Sequence, residues 1–302
     1  MALGLSGCET PPVVEPVAPP PARPVASPEP PKQSNESILV AKHFARVQAD
    51  LQARGLLRTD GGGPDTPFSK RQLVENFVQI ALHDEYVTTT GRLVARPTES
   101  PIRRWEKPIT LSVIFGDTVP EDQRRKDHQN IKEYASRLSR ITGLPITPAS
   151  PETANFHVLM LNEDERRAFG PRLRELAPGI DATSVRTVTS LPRSTLCIVF
   201  AFTRTDDPTY TRAVAVIRAE HPDLLRLSCI HEELAQGLGL ANDSPDARPS
   251  IFNDDEEFAL LTRHDELLLK MLYDPRLKIG IRTMEARPIV REIADELLGG
   301  ES

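Results

Sequence analysis

The chain has 302 residues, 39% hydrophobic and 26% charged, with a formal net charge of −6 at pH 7. That length supports one large core or two modest ones. Acids and bases are interspersed with no basic stripe, which argues against a nucleic-acid partner, and no run of 18 apolar residues offers a membrane span.

The N-terminus carries Leu5-Ser6-Gly7-Cys8, the form of a bacterial lipobox, in which small residues precede a cysteine that becomes acylated. Only seven residues, none of them Lys or Arg, precede Cys8, so basic and apolar residues are expected upstream of Met1. Residues 11–31 hold ten of the 28 prolines and read as an extended spacer that cannot pack a core. The expected organisation is therefore a truncated lipoprotein signal over 1–8, a Pro-rich tether over 9–36 and one folded domain over 37–302. Lipidation of Cys8 would anchor that domain to a membrane from the periplasm. Glu9 after the cysteine, rather than Asp, points to the outer membrane. The alternative is a chance Leu-Ser-Gly-Cys.

From Ser37 the periodicity predicts a helix to about Gly55, a loop over 61–67, and a second helix, KRQLVENFVQIAL, capped by Ser69. A polar, turn-rich stretch follows. ITLSVIF, 109–115, reads as a strand, and 122–143 as a helix closed by Gly143. NFHVLML, TLCIVFAF and RAVAVIRA read as three further strands, with a short helix near 163–176 between the first two. HPDLLRLSCIHEELAQGL reads as a helix with Pro222 in its first turn. Two more helices are expected at about 255–273 and 287–298. The acidic run Asn253, Asp254, Asp255, Glu256 and Glu257 would supply the cap and first turn of the former. The class is α+β: a small mixed sheet, an active-site-type helix and flanking helices.

His231-Glu232 looks like the opening of H-E-x-x-H, but the position four after His231 is Ala235. With Ile230 placed at 0° and a turn of about 100° per residue, Leu234, Leu227 and Leu238 form an apolar stripe within about 80°. His231 at about 100° and Ala235 at about 140° lie beside that stripe, while Glu232, Gln236, Cys229 and Glu233 fall at about 200° to 300°. His231 is therefore read as structural, as are His83 and His157. Shifting the register by one gives E-E-x-x-Q-x-x-G-x-x-N at Glu232, Glu233, Gln236, Gly239 and Asn242. Each spacing matches the long zinc-protease motif H-E-x-x-H-x-x-G-x-x-H. Glu233 falls on the general-base glutamate, while Glu232, Gln236 and Asn242 fall on the three ligand positions. Zinc prefers imidazole and thiolate, so these oxygens should hold it poorly; a hard divalent cation held loosely stays open. The plain alternative is a solvated Glu-Glu face with Gly239 in a helix cap.

CIHEELAQGLGLANDSP and the following RPSIFNDDEEFALLTRHDELLLKMLYDPRLKIG resemble the domain-of-unknown-function family 2927, over most of 70–285 and most specifically over 229–280. The shared pattern is Cys229, Glu232-Glu233, Gln236, Leu238-Gly239-Leu240 and Asn242-Asp243. The resemblance implies a bacterial lipoprotein with a zincin-like fold and no established reaction.

Cys197 and Cys229 are expected to pair in an oxidising compartment; an unpaired buried pair is the rival. His264-Asp265 offers a late metal ligand at His264, or a surface or capping pair. No G-x-S-x-G, G-x-x-x-x-G-K or G-x-G-x-x-G is present. Three functions follow. The first is a membrane-anchored, non-catalytic binding domain without a cofactor, holding an extended peptide or cell-wall material at Glu232, Glu233, Gln236, Asn242 and Asp243. The second is a metallopeptidase with Glu233 as base and a ligand set drawn from Glu232, Gln236, Asn242 and His264. The third is a purely structural envelope protein.

Overall fold

A computed structural model describes residues 31–89 and 92–299, together with Met1. Cys8 and the tether up to residue 30 lie outside the described residues. The fold opens with α1 (Asn35–Ala53), whose first turn is capped by the Ser34 hydroxyl accepting from the Ser37 amide at 3.1 Å. It buries Val40, Phe44 and Leu51 against Leu57, Leu225 and Ala259. α2 (Lys70–Ala81) starts in a capping box made by Ser69 and Gln72. The stretch expected to be turn-rich is instead an antiparallel hairpin, β1 (His83–Thr89) with β2 (Arg92–Glu99).

The main sheet begins at β3 (Ile109–Phe115), which matches the sequence expectation residue for residue. α3 (Glu121–Thr142) ends at Gly143 in the left-handed region, φ +71°. β4 (Ile146–Pro148) and β5 (Phe156–Leu161) flank β3. α4 (Glu163–Ala168), α5 (Gly170–Leu176) and α6 (Ala182–Thr189) lead to β6 (Cys197–Arg204) and β7 (Asp207–Arg218). α7 (Asp223–Gln236), α8 (Arg263–Leu272) and α9 (Thr283–Gly299) complete the fold. None of the described helices is long and apolar enough to cross a membrane.

The strand order is β4-β3-β5-β7-β6, parallel except for the edge strand β6, which runs antiparallel to β7. Helices therefore flank a small mixed sheet, as the sequence implied. Alternation sorts each strand's residues between two cores. Phe156, Val158, Met160, Ala213, Ala215 and Ile217 join Ile230, Leu234 and Leu238 of α7 in the larger one. Leu159, Leu161, Val214, Val216 and Ile198 join Leu173, Val185 and Val188 in the smaller. Burial on both faces is why β5 from Val158 and β7 from Ala213 read as apolar runs.

The acidic run at 253–257 does not open a helix. α8 starts at Arg263, after a capping box in which Thr262 and Asp265 exchange side-chain and backbone bonds. Asn253 and Asp255 accept from the amides two residues on, at 3.2 and 2.8 Å, and Glu256 sits at φ +58°. Such local side-chain bonds compete with helical ones. The segment is also held to the neighbouring chain, Glu256 and Glu257 carbonyls accepting from the Leu57 and Arg58 amides.

Candidate functional site: an acidic cavity beside the edge strand

α7 is placed by its two ends. Near its start the Asp127 carboxylate receives the buried Arg226 guanidinium at 2.8 Å. At its close, Trp105 Nε1 donates to the Gly237 carbonyl at 2.8 Å and the Tyr273 hydroxyl to the Leu238 carbonyl at 2.9 Å. These satisfy acceptors that a helix end leaves free. Gly239 then turns the chain at φ +124°, where a Cβ would lie 2.4 Å from the Arg103 carbonyl oxygen. No side chain fits that approach, so glycine is required there.

The Cys197–Cys229 disulfide ties β6 to the middle of α7. One turn on, Glu232, Glu233 and Gln236 line a cavity of about 380 Å³ between the hairpin, β6, α7 and residues 241–256. The side of α7 opposite the apolar stripe is thus mostly buried: Glu233 is 2% exposed and Gln236 7%, with Glu232 half-buried. From β1 come Asp84 and Glu85; Asp243, Asp254 and Glu256 come from the loop after α7. Seven carboxylates thus face a cavity whose described lining includes one cation, Arg103, and Arg103 is bound to Asp84 at 2.7 Å.

Burial, first, and then repulsion from neighbouring carboxylates push Glu85, Glu232, Glu233, Asp243 and Glu256 toward their neutral forms. Glu85 is pushed up to about 7 by burial, against a hydrogen bond with Tyr86 and with added repulsion from Asp254. Glu256 is also raised to about 7, by burial and then Asp254. Glu232 lies well above the usual carboxylate range through burial and the adjoining Glu233; Glu233 does so through burial and Glu85. Asp243 follows them for the same reasons, although Gln236 Nε2 donates to its Oδ1 at 3.1 Å. Glu233 Oε2 is buried and finds no hydrogen-bond partner within the protein.

The structure brings Glu232, Glu233, Gln236 and Asp243 together and leaves two expected residues out. Asn242 is 1% exposed and turned into the fold, its Nδ2 donating to the Gln79 and Asp243 carbonyls at 2.8 Å each. His264 is fully buried elsewhere, its Nε2 3.1 Å from Asn76 Nδ2 and its ring edge-on to Phe68. His231 stacks on Tyr134 at 3.9 Å and its Nδ1 accepts the Leu261 amide at 3.0 Å; burial holds its pKa down to about 3. His157 sits in the sheet against the Ser112 hydroxyl at 2.8 Å and His83 against the Val78 carbonyl at 3.1 Å. Sequence reasoning missed Glu85 and Tyr86. YVTTTGRLV, a β-branched run followed by a glycine and then Leu93-Val94, carried the hairpin signal that would have placed them.

The donor set does not fit zinc. Cys197, Glu232 and Glu233 hold donor atoms within 4.8 Å of one another, but the Cys197 sulfur is in a disulfide and offers no thiolate. No histidine is among the described residues lining the cavity.

No curated protein and no solved structure matches the chain. The model of one family, described as "Protein of unknown function (DUF2927)", matches residues 70–292, which contain the whole of the cavity wall and leave out α1. The chain belongs to that family.

Proposed function

We propose that this chain is a binding protein of the bacterial envelope. It is anchored by an acylated Cys8 on the outer membrane's periplasmic face and holds an extended peptide segment in a zincin-like cleft that has lost its zinc chemistry. One observation carries the reading. The edge strand β6 pairs with β7 alone among the described strands, and its residues 197–201 border the carboxylate-rich cavity. A free strand edge offers alternate backbone donors and acceptors to an added strand, and the adjoining cavity takes one of its side chains. The disulfide between β6 and α7 supports an oxidising compartment.

The peptidase reading needs Glu233 as an ionised base. It also needs a zinc-bound water for that base to act on, and the described lining of the cavity offers no histidine and no free thiolate to hold zinc.

Amide hydrogen exchange on the full chain tests the proposal, with a blocked heptapeptide of valine and threonine around a central lysine as probe. The amides of β6 that point away from β7 should exchange more slowly with the peptide present. Unchanged exchange along 197–201 at saturating peptide would contradict the proposal.

A further inference from the structure

We infer that the segment lying along β6 presents a primary ammonium on an aliphatic stem to the Glu232–Glu233 pair. This deepens the binding reading above and rests on it. The first support is charge. The cavity gathers seven carboxylates, and its described lining offers one guanidinium, already engaged by Asp84. A cationic occupant would favour the ionised carboxylates and offset their mutual repulsion, which an anionic or neutral occupant would not do.

The second support is an unmet bond. Glu233 is 2% exposed, lines the cavity, and has an oxygen with no partner within the protein. A buried carboxylate oxygen left unpaired is costly, and a donor arriving with the ligand removes that cost.

The third is shape. Donor oxygens of Glu232 and Glu233 lie within 4.8 Å of each other. Two charge-assisted bonds of about 2.8 Å from one tetrahedral nitrogen span about 4.6 Å between their acceptors. A compact ammonium, whose donors radiate from a single atom, matches that pair better than a planar guanidinium fork. A calcium-like ion requires about six to eight oxygens at roughly 2.3–2.6 Å. Among the described residues the close cluster ends at two carboxylates and a disulfide sulfur.

The fourth is size and lining. A volume of about 380 Å³ exceeds what a single ion fills. Val199, Phe200 and Ala201 of β6 and Tyr86 of β1 give part of the wall an apolar surface. A lysine-type stem lays its methylenes on such a surface while its head reaches the carboxylates.

Calorimetric titration of the full chain decides the matter, using the central-lysine heptapeptide, its ε-acetylated twin and calcium chloride. The lysine peptide should bind one to one and at least tenfold more tightly than the acetylated twin. Glu232→Gln and Glu233→Gln should each erase most of that difference while keeping the parent's circular dichroism. Either variant still folded and still discriminating would overturn the assignment of that carboxylate. Equal binding of both peptides would overturn ammonium recognition and leave the β6 reading standing. Binding of neither peptide would overturn both. Stoichiometric calcium that excludes the lysine peptide would replace the inference with an inorganic cation site.

Discussion

Glu85 and Glu256 show what the acidic cavity costs the folded chain. Each has an ordinary value of 4.5 and is raised to about 7 in the fold. The folded chain thus keeps protons that the unfolded chain gives up near pH 4.5, and each group draws stability down as pH rises from about 4.5 to about 7. Glu85→Gln and Glu256→Gln should therefore be more stable than the parent at pH 8, by something of the order of 1 kcal/mol. The difference should vanish below about pH 4.5. Urea denaturation at the two pH values checks this, and a constant offset would show that the carboxyls are not raised. Gly239 makes a prediction of opposite sign. Its φ of +124° and the 2.4 Å approach to the Arg103 carbonyl leave no room for a methyl group. Gly239→Ala should lower stability by about 2–4 kcal/mol in the same assay. A loss under 1 kcal/mol would mean the backbone there is free to shift.

Among the elements, α7 and β6 act as one unit because the disulfide joins them. The bridge closes a loop across a sequence separation of 32 residues. Chain entropy alone assigns such a loop about 3–4 kcal/mol. The Cys197→Ser/Cys229→Ser double variant should lose that much in chemical denaturation and should show faster amide exchange in β6. A loss under about 1 kcal/mol would mean that packing alone fixes the strand. At α8 the Thr262 hydroxyl accepts from the Asp265 amide at 3.2 Å, so Thr262→Ala should cost about 1 kcal/mol by thermal melting. An unchanged melting temperature would assign the start of α8 to Asp265 alone.

How much of each element was legible in the sequence depended on where its burial lies. β3, β5 and β7 carry apolar runs bounded by turn residues, and α3 announces its end with Gly143, so all four were readable. The hairpin left a weaker mark: β2 is exposed along most of its length, so it lacks hydrophobic alternation, and only the β-branched run before Gly91 signalled it. The helix-spaced reading of the motif located Glu232, Glu233 and Gln236, which lie within α7. It failed at Asn242, because the helix ends at Gln236 and the turn at Gly239 sends Asp243 rather than Asn242 to the cavity. The acidic run at 253–257 had the composition of a helix start, yet side-chain bonds to its own backbone made it a loop and turned Glu256 to the same site.

At the scale of the whole molecule, a parallel-rich sheet with one antiparallel edge strand carries a buried helix across one face. The cavity forms where that helix, the edge strand, the hairpin and the loop after α7 meet. Three buried histidines, His157, His221 and His231, have lowered pKa values, the first to about 4 and the last to about 3. They resist protonation, so the fold loses their stabilisation as pH falls below about 6.5, opposite to the cavity carboxyls. The central claim is that this arrangement holds a chain without cutting it. The most direct measurement incubates the full chain with the central-lysine heptapeptide, then determines by mass spectrometry the state of the recovered peptide and the zinc content of the protein. Our account predicts intact peptide retained one to one by the parent, little retained by Glu233→Gln, and zinc far below one per chain. Cleaved peptide from the parent but not from Glu233→Gln, with one zinc per chain, would contradict it.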